Sequence, residues 1–284
     1  MKLLTWNIQW GRGADGRVDL DRIVAHAKRF SDFDVLCLQE VSAGYPDLPG
    51  NDGADQFAGI AERLPGYSAI AGIATDVPDG IGGRRRFGNM ILSRFPVQQV
   101  FRHLLPWPAE VGVRSMQRVA VEASLDTPMG PVRVTTTHLE YYSTKQRRAQ
   151  IERLRLLHQE ACAHARTGAS LAEAEGPFSH PPRASAAILT GDFNFLPDSP
   201  DRMFMTSPID AATPAYRDAW RIAHPAQAHA PTVGVYDKVQ WPGPPFTFDF
   251  VFVSEDLAER VQDVRVDPVS DASDHQPVLV EFRT

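Results

Sequence analysis

Ile188-Leu189-Thr190-Gly191-Asp192-Phe193-Asn194 reads as a short apolar strand that ends in an acid, with an amide close behind. The design recurs along the chain. Leu3-Leu4-Thr5-Trp6 ends at Asn7, Val35-Leu36-Cys37-Leu38-Gln39 ends at Glu40, and Val134-Thr135-Thr136-Thr137 ends at His138. A single polar strand end usually just bonds a loop, and that is the plain alternative for Asn7 or Glu40 taken alone. A set of them is different, because donors at the ends of neighbouring strands converge on one rim, where sheets present a site.

Working outward, alternating or short buried runs mark strands at 2–8, 35–38, 87–92, 97–104, 116–125, 132–138, 186–190, 248–253, 261–266 and 278–282. Helical spacing marks 19–30, where Leu20, Ile23, Val24, Ala27 and Phe30 share a face behind an Asp19 cap. It also marks 145–166, where Ile151, Leu154, Leu157, Ala161 and Ala165 do the same. Many strands and few long helices imply stacked sheets covered by helices, an α+β arrangement. No internal period or low-complexity tract interrupts the chain, so residues 1–284 are expected to form one domain. Proline-rich loops are expected at 176–182 and 241–245; for Trp107 and Trp241, in proline-rich surroundings, core packing is the ordinary reading and stacking on a base or capping a loop the alternative.

Composition narrows the class. The chain carries 29 basic and 35 acidic side chains, a formal charge of −6, and its isoelectric point is about 5.8. With 43% hydrophobic residues, 284 positions can bury a sizeable core, which excludes disordered and fibrous classes. The acidic balance removes the simplest argument for nucleic-acid binding, a broad basic face. No apolar run reaches membrane-spanning length and the first residues turn polar too early for a secretory core, so a cytoplasmic protein without a transmembrane segment is expected. Cys37 and Cys162 read as small core residues in a reducing compartment.

Asp249 is the sharpest single residue. In Phe248-Asp249-Phe250-Val251-Phe252-Val253 it shares strand parity with Val251 and Val253 and so faces an interior side. A buried carboxylate needs strong partners. Backbone groups or an arginine would serve; the functional alternative is a carboxylate that orients a histidine, and His275 follows in Ser273-Asp274-His275. Asp274 and His275 are adjacent and project differently, so one can serve a metal while the other serves a phosphate. Glu40, Asn7, Asp192, Asn194 and Asp274 are hard oxygen donors without cysteine or paired-histidine spacing. Such a set suits Mg²⁺, with Mn²⁺ as substitute, over Zn²⁺.

Seven segments then match a known family in its order: Thr5-Trp6-Asn7, Leu38-Gln39-Glu40-Val41, Gly88-Asn89-Met90-Ile91-Leu92-Ser93-Arg94, Thr137-His138-Leu139, Gly191-Asp192-Phe193-Asn194, Phe248-Asp249-Phe250 and Ser273-Asp274-His275. Across nearly the whole chain the sequence resembles the endonuclease/exonuclease/phosphatase superfamily. The resemblance implies a four-layer α/β/β/α sandwich of two packed, mainly antiparallel sheets with the site at one edge. It implies Glu40 as the main metal ligand with Asn7 and Asp274 nearby, and Asp192 with Asn194 positioning or activating the attacking water. It implies that Asp249 orients His275, and that His138, His275 and Asn89 surround the phosphate. Arg118 resembles an arginine of some members; its alternative is a surface strand charge.

The implied reaction is Mg²⁺-dependent hydrolysis of a phosphodiester or phosphate ester, of a small molecule or lipid, by direct attack of water. A DNA or RNA nuclease of the same superfamily is the alternative, and a binding protein that kept the fold without catalysis is disfavoured by the complete acid, amide and histidine set. Arg84, Arg85 and Arg86 stand just before Asn89, in an expected loop. A solvated loop is their ordinary reading, and contact of Arg84 and Arg86 with a second phosphate or an anionic headgroup is the functional one. Nucleic acid is not favoured as partner, and a monomer is the default.

Overall fold

Alternation along the strands determines what each face of the molecule buries. The computed structural model describes residues 1–167, 176–179 and 181–284, and among these twelve strands form two six-stranded sheets. The first runs, edge to edge, β11 (Val261–Val266), β12 (Val278–Phe282), β1 (Lys2–Asn7), β2 (Val35–Ala43), β4 (Arg84–Ser93) and β3 (Ser68–Pro78). The second runs β5 (Val97–Leu104), β6 (Val119–Thr127), β7 (Gly130–His138), β8 (Ala187–Asp192), β10 (Asp249–Ser254) and β9 (Tyr216–Asp218). Only β1 with β2 and β7 with β8 pair in parallel. The sheets are thus mainly antiparallel.

Leu3, Val35, Cys37, Ile91, Val134, Ile188 and Val251 point between the sheets and form the central core. Their strand neighbours Leu4, Trp6, Leu36 and Leu38 point outward, against Ile23, Val24 and Ala27 of α1 (Leu20–Phe30) and Phe57 and Ile60 of α2 (Gln56–Arg63). On the other side Leu189, Phe250 and Phe252 pack against Ile151 and Leu154 of α3 (Thr144–Thr167) and Met205 of α4 (Pro200–Met205). The result is a four-layer α/β/β/α sandwich. A short α5 (Ala219–Ala223) packs Trp220, Ile222 and Ala223 onto the central core. Asp19 caps α1 as expected, its side chain accepting from Arg22 N. No helix among the described residues is long and apolar enough to cross a membrane. Cys37 and Cys162 are free and buried.

Several sequence expectations need correction. Arg84 to Arg86 are not a loop but the first residues of β4, paired across the hairpin to β3. β3 went unrecognised because Ser68-Ala69-Ile70-Ala71-Gly72 mixes small residues on an edge strand that is half solvated. Strand β9, three residues long, and helices α2, α4 and α5 were likewise too short or weakly patterned to read. Trp107 is half exposed and its Nε1 donates to Ser115 Oγ at 2.9 Å, which makes it a loop clasp and not a core residue. Trp241 is also outside the core, as described below.

Candidate active site

The inward column of each strand continues past the apolar core into polar residues at one end of the sandwich. Asn7 keeps the parity of Leu3 and Thr5, His138 that of Val134 and Thr136, Asp192 that of Ile188 and Thr190, and Asp249 that of Val251 and Val253. Asn89 does the same with Ile91. Chain alternation therefore delivers these groups from both sheets to one rim.

Glu40 reaches the rim differently. Leu38 and Val41 both face outward, so β2 holds one residue too many between them, and Gln39 and Glu40 together oppose the single residue Asn89. This bulge puts Glu40 in left-handed backbone at φ +58° and redirects its carboxylate toward Asn7 and His138. Gln39 meanwhile points inward and ties the sheets together, donating to Thr136 Oγ1 at 2.8 Å.

The central amide is Asn7. Its Nδ2 donates to Glu40 Oε1 and to Asp192 Oδ2, both at 3.0 Å, while its Oδ1 accepts from Gln9 N. His138 stands between the same two carboxylates, Nδ1 3.8 Å from Glu40 Oε1 and Nε2 3.5 Å from Asp192 Oδ2. Opposite it, His275 Nε2 lies 3.7 Å from Asp192 Oδ2, and His275 Nδ1 donates to Asp249 Oδ2 at 2.8 Å. The other Asp249 oxygen is buried without a partner. Asn194, at φ +52°, donates its backbone N–H to Asp192 Oδ1 and its amide to Leu139 O, which locks the Asp192 carboxylate from behind. Gly191 is needed for this approach: a Cβ there would sit 1.9 Å from Thr137 O on β7.

Asp274 sits apart from the dyad, its Oδ2 accepting from Gln9 Nε2 and from Trp241 Nε1 at 3.0 Å each. Trp241 thus braces an acid of the rim. Gln9 was not legible as a site residue, since its own φ of +44° and its role depend on the turn after β1. Asn89 Nδ2 donates to Val119 O across the sheets at 2.9 Å, leaving one N–H beside the bulge. Arg118 is buried and bonded to Glu140 Oε2 at 3.3 Å, so the surface-charge alternative fails. Glu140, fully buried two residues after His138, was missed, although it too is an acid just beyond a strand end. Arg84, Arg85 and Arg86 are each bonded to an acid, Asp76, Asp47 and Asp55 respectively.

The buried charges shape one another. Burial works against charging His275, yet Asp249, Asp274 and Asp192 hold its pKa well above the ordinary histidine range. Burial, with Arg118 and His275 adding to it, holds His138 well below that range. The two imidazoles are thereby split into a cation and a neutral ring. Burial lifts Asp192 to about 7 against the pull of His275, and burial with the neighbouring Asp274 raises Glu40. Two acids that share so little positive charge fit a divalent cation, which would neutralise both. Asp192, Asp249 and His275 also present ligand atoms within 4.8 Å of one another. There the His275 Nδ1 proton already occupies the Asp249 oxygen, and the hard donors Glu40, Asp274 and Asn7 are the better match to a metal.

Fold and rim define a two-sheet α/β/β/α sandwich with an acid, amide and histidine set at one end. The sequence matches the model of the Endonuclease/Exonuclease/phosphatase family over residues 4–275, and the chain belongs to that family. Among solved structures it is similar to an endonuclease/exonuclease/phosphatase from Beutenbergia cavernae, 25% identical with a TM-score of 0.65, over 100% of this chain and 71% of that one. It is also similar to a mannosyl-6-phosphatase from Bacteroides thetaiotaomicron, 19% identical with a TM-score of 0.63, over 100% of both chains. Truncated Caenorhabditis elegans TDP2 is 19% identical with a TM-score of 0.64, over 100% of this chain and 97% of that one. No curated protein matches significantly.

Proposed function

We propose that residues 1–284 are one catalytic domain, a divalent-metal-dependent phosphoesterase that cleaves a phosphodiester or phosphate ester of a small molecule or lipid by direct attack of water. The observation that carries this reading is Asp192, held by Asn7 and Asn194 between a neutral His138 and a cationic His275. Glu40 and Asp274 would hold the cation, with Asn7 beside them, and Mg²⁺ or Mn²⁺ suits these oxygens. When bound, the cation supplies Lewis-acid polarisation of the phosphoryl group. Asp192, with its raised pKa, is matched to take a proton from the attacking water near neutral pH. His275, kept charged and oriented by Asp249, donates toward the phosphoryl or leaving oxygen. The single N–H of the neutral His138 ring and the remaining Asn89 N–H supply further donors to the equatorial oxygens, and Arg118 adds positive charge beside them.

The charge distribution favours a small or lipid ester over nucleic acid. The three arginines of β4 reach an anion only by leaving Asp76, Asp47 and Asp55. Duplex binding needs several phosphates neutralised at once. With Mg²⁺ present, bis-p-nitrophenyl phosphate, p-nitrophenyl phosphate, plasmid DNA, RNA and phospholipid can be compared side by side. Turnover of a small or lipid ester above that of duplex DNA is expected; efficient DNA cleavage with steeply salt-dependent binding would reverse the substrate assignment.

A further inference from the structure

Exposed apolar side chains are not spread evenly over this molecule. Of the fourteen large ones exposed among the described residues, Leu156 and Met203 lie on helices α3 and α4 and Phe178 in the turn at 176–178. All the others lie at the end of the sandwich that carries the candidate site, on strand ends or the loops beyond them. Three are almost fully exposed: Ile81 at 91%, Val111 at 103% and Val239 at 91%. Burial normally removes such residues from water, and an apolar ring around a catalytic mouth signals an interacting surface.

The three tips are held out by similar local devices. Asp79 Oδ1 accepts from Ile81 N and Gly83 N, at 2.9 and 2.8 Å, fixing the β3–β4 turn with Ile81 at its apex. Asp237 Oδ1 accepts from Val239 N and Gln240 N, at 3.0 and 2.9 Å, and presents Val239 in the same manner. Val111 stands in a turn closed by Val113 N to Glu110 O, and the Glu110 carboxylate is itself held by Ser143. Strand β3 packs over β5 and β6, so the Ile81 and Val111 tips lie on one flank of the mouth. Val239 lies on the flank of β10, where Trp241 braces Asp274. Between them Trp107, Tyr141 and Tyr142 are 41% to 58% exposed, amphipathic rings of the kind that settle at a bilayer interface.

We propose that this end of the molecule docks on a zwitterionic lipid surface, with the three tips inserted among the headgroups and the mouth facing the phosphoester layer. The proposal rests on the phosphoesterase reading and names the physical form of its substrate. The occupant follows from charge and shape. Each tip stands near both an acid and a cation in the chain, Asp79 and Arg84 by Ile81, Glu110 and Arg114 by Val111, Asp237 and Lys238 by Val239, and the β4 arginines are bonded to acids, so the ring presents mixed charge without the single-sign field that draws an anionic bilayer or a nucleic acid. Separate single side chains at three apices match a fluid surface that closes around each one, whereas a protein partner seated on all three would cover the mouth.

The test compares the whole chain with the triple variant Ile81→Asp, Val111→Asp, Val239→Asp. None of the three belongs to the catalytic set, and exposed positions tolerate such changes with little loss of stability. Co-sedimentation with phosphatidylcholine vesicles is expected at about 1 mM lipid and should weaken about 100-fold in the variant, in line with three apolar insertions lost. Brominated phosphatidylcholine should quench tryptophan fluorescence, and Trp107→Phe should remove much of that quenching. Hydrolysis of soluble bis-p-nitrophenyl phosphate should stay within about twofold of wild type, because the catalytic groups are untouched. Absence of wild-type sedimentation, or undiminished sedimentation of the variant, would overturn the docking proposal. So would a concentration-dependent dimer that the variant dissolves, since the tips would then cover a second copy. Vesicle binding is scored without turnover, so a failed diester assay strikes the catalytic reading and leaves the docking result standing.

Discussion

Glu40 concentrates the relation between strain and function in one residue. A non-glycine residue at φ +58° costs about 1–2 kcal/mol, and its carboxyl is raised by burial and by Asp274 as well. Glu40→Gly removes both burdens. The variant is expected to melt at or above the wild-type temperature while its metal-dependent rate falls by about three orders of magnitude; a destabilised variant with retained rate would assign Glu40 to the fold. The dyad makes a different prediction. Asp249→Asn should stay folded and lose about two to four orders of magnitude in rate, as general acid–base losses do. His275→Ala should add little to that loss, since two groups acting as one unit are not additive. Multiplying losses would detach Asp249 from His275. Strand-end position made Asn7, His138 and Asp192 legible from the sequence, and parity made Asp249 legible; the structure adds that each continues an inward column of apolar residues. Glu40 was legible only as an acid near a strand end; the extra residue that turns it inward is a backbone event without a composition signal.

Among the elements, α3 and the outer face of the second sheet hold a second set of buried charges. Arg133 bonds Glu122 at 3.0 Å, and Arg183 bonds its other oxygen at 2.6 Å. Arg133 Nη2 also donates to His158 Nδ1 at 2.8 Å, which leaves His158 Nε2–H to donate to Pro214 O at 2.9 Å. Burial, with Arg133 adding to it, lowers the His158 pKa to about 4. Below pH 6.5 the unfolded chain binds a proton here that the folded chain refuses until about pH 4. Stability from this group is therefore complete above pH 6.5 and lost as pH falls toward 4, by about 3 kcal/mol at most. Denaturant titrations between pH 7 and 4.5 should show the decline, and His158→Gln should flatten its slope by up to one proton; an unchanged slope would mean that His158 titrates normally. The sequence showed α3 by its spacing of Ile151, Leu154 and Leu157. It could not show Gln146, Gln150, Arg155 and His158 buried on the same helix, because each bonds partners outside the helix that the local pattern does not reveal.

The whole molecule is two sheets whose inner faces are apolar at one end and chemical at the other. Asn89 donating to Val119 O and Gln39 donating to Thr136 Oγ1 join the sheets where that change occurs, so the site is built across the sandwich and depends on both sheets keeping register. The order of the strand-end motifs was visible in the sequence, whereas the apolar ring around the mouth was not, since exposure of Ile81, Val111 and Val239 is a property of turn geometry. The most direct measurement is hydrolysis of bis-p-nitrophenyl phosphate by metal-stripped protein as Mg²⁺ is added, for wild type and Glu40→Gln in parallel. The account predicts no turnover without cation, saturable recovery with Mg²⁺ or Mn²⁺, and a Glu40→Gln enzyme that needs about tenfold more cation and reaches a far lower ceiling. Turnover that survives metal removal, or a Glu40→Gln enzyme at the wild-type rate in saturating Mg²⁺, would contradict it.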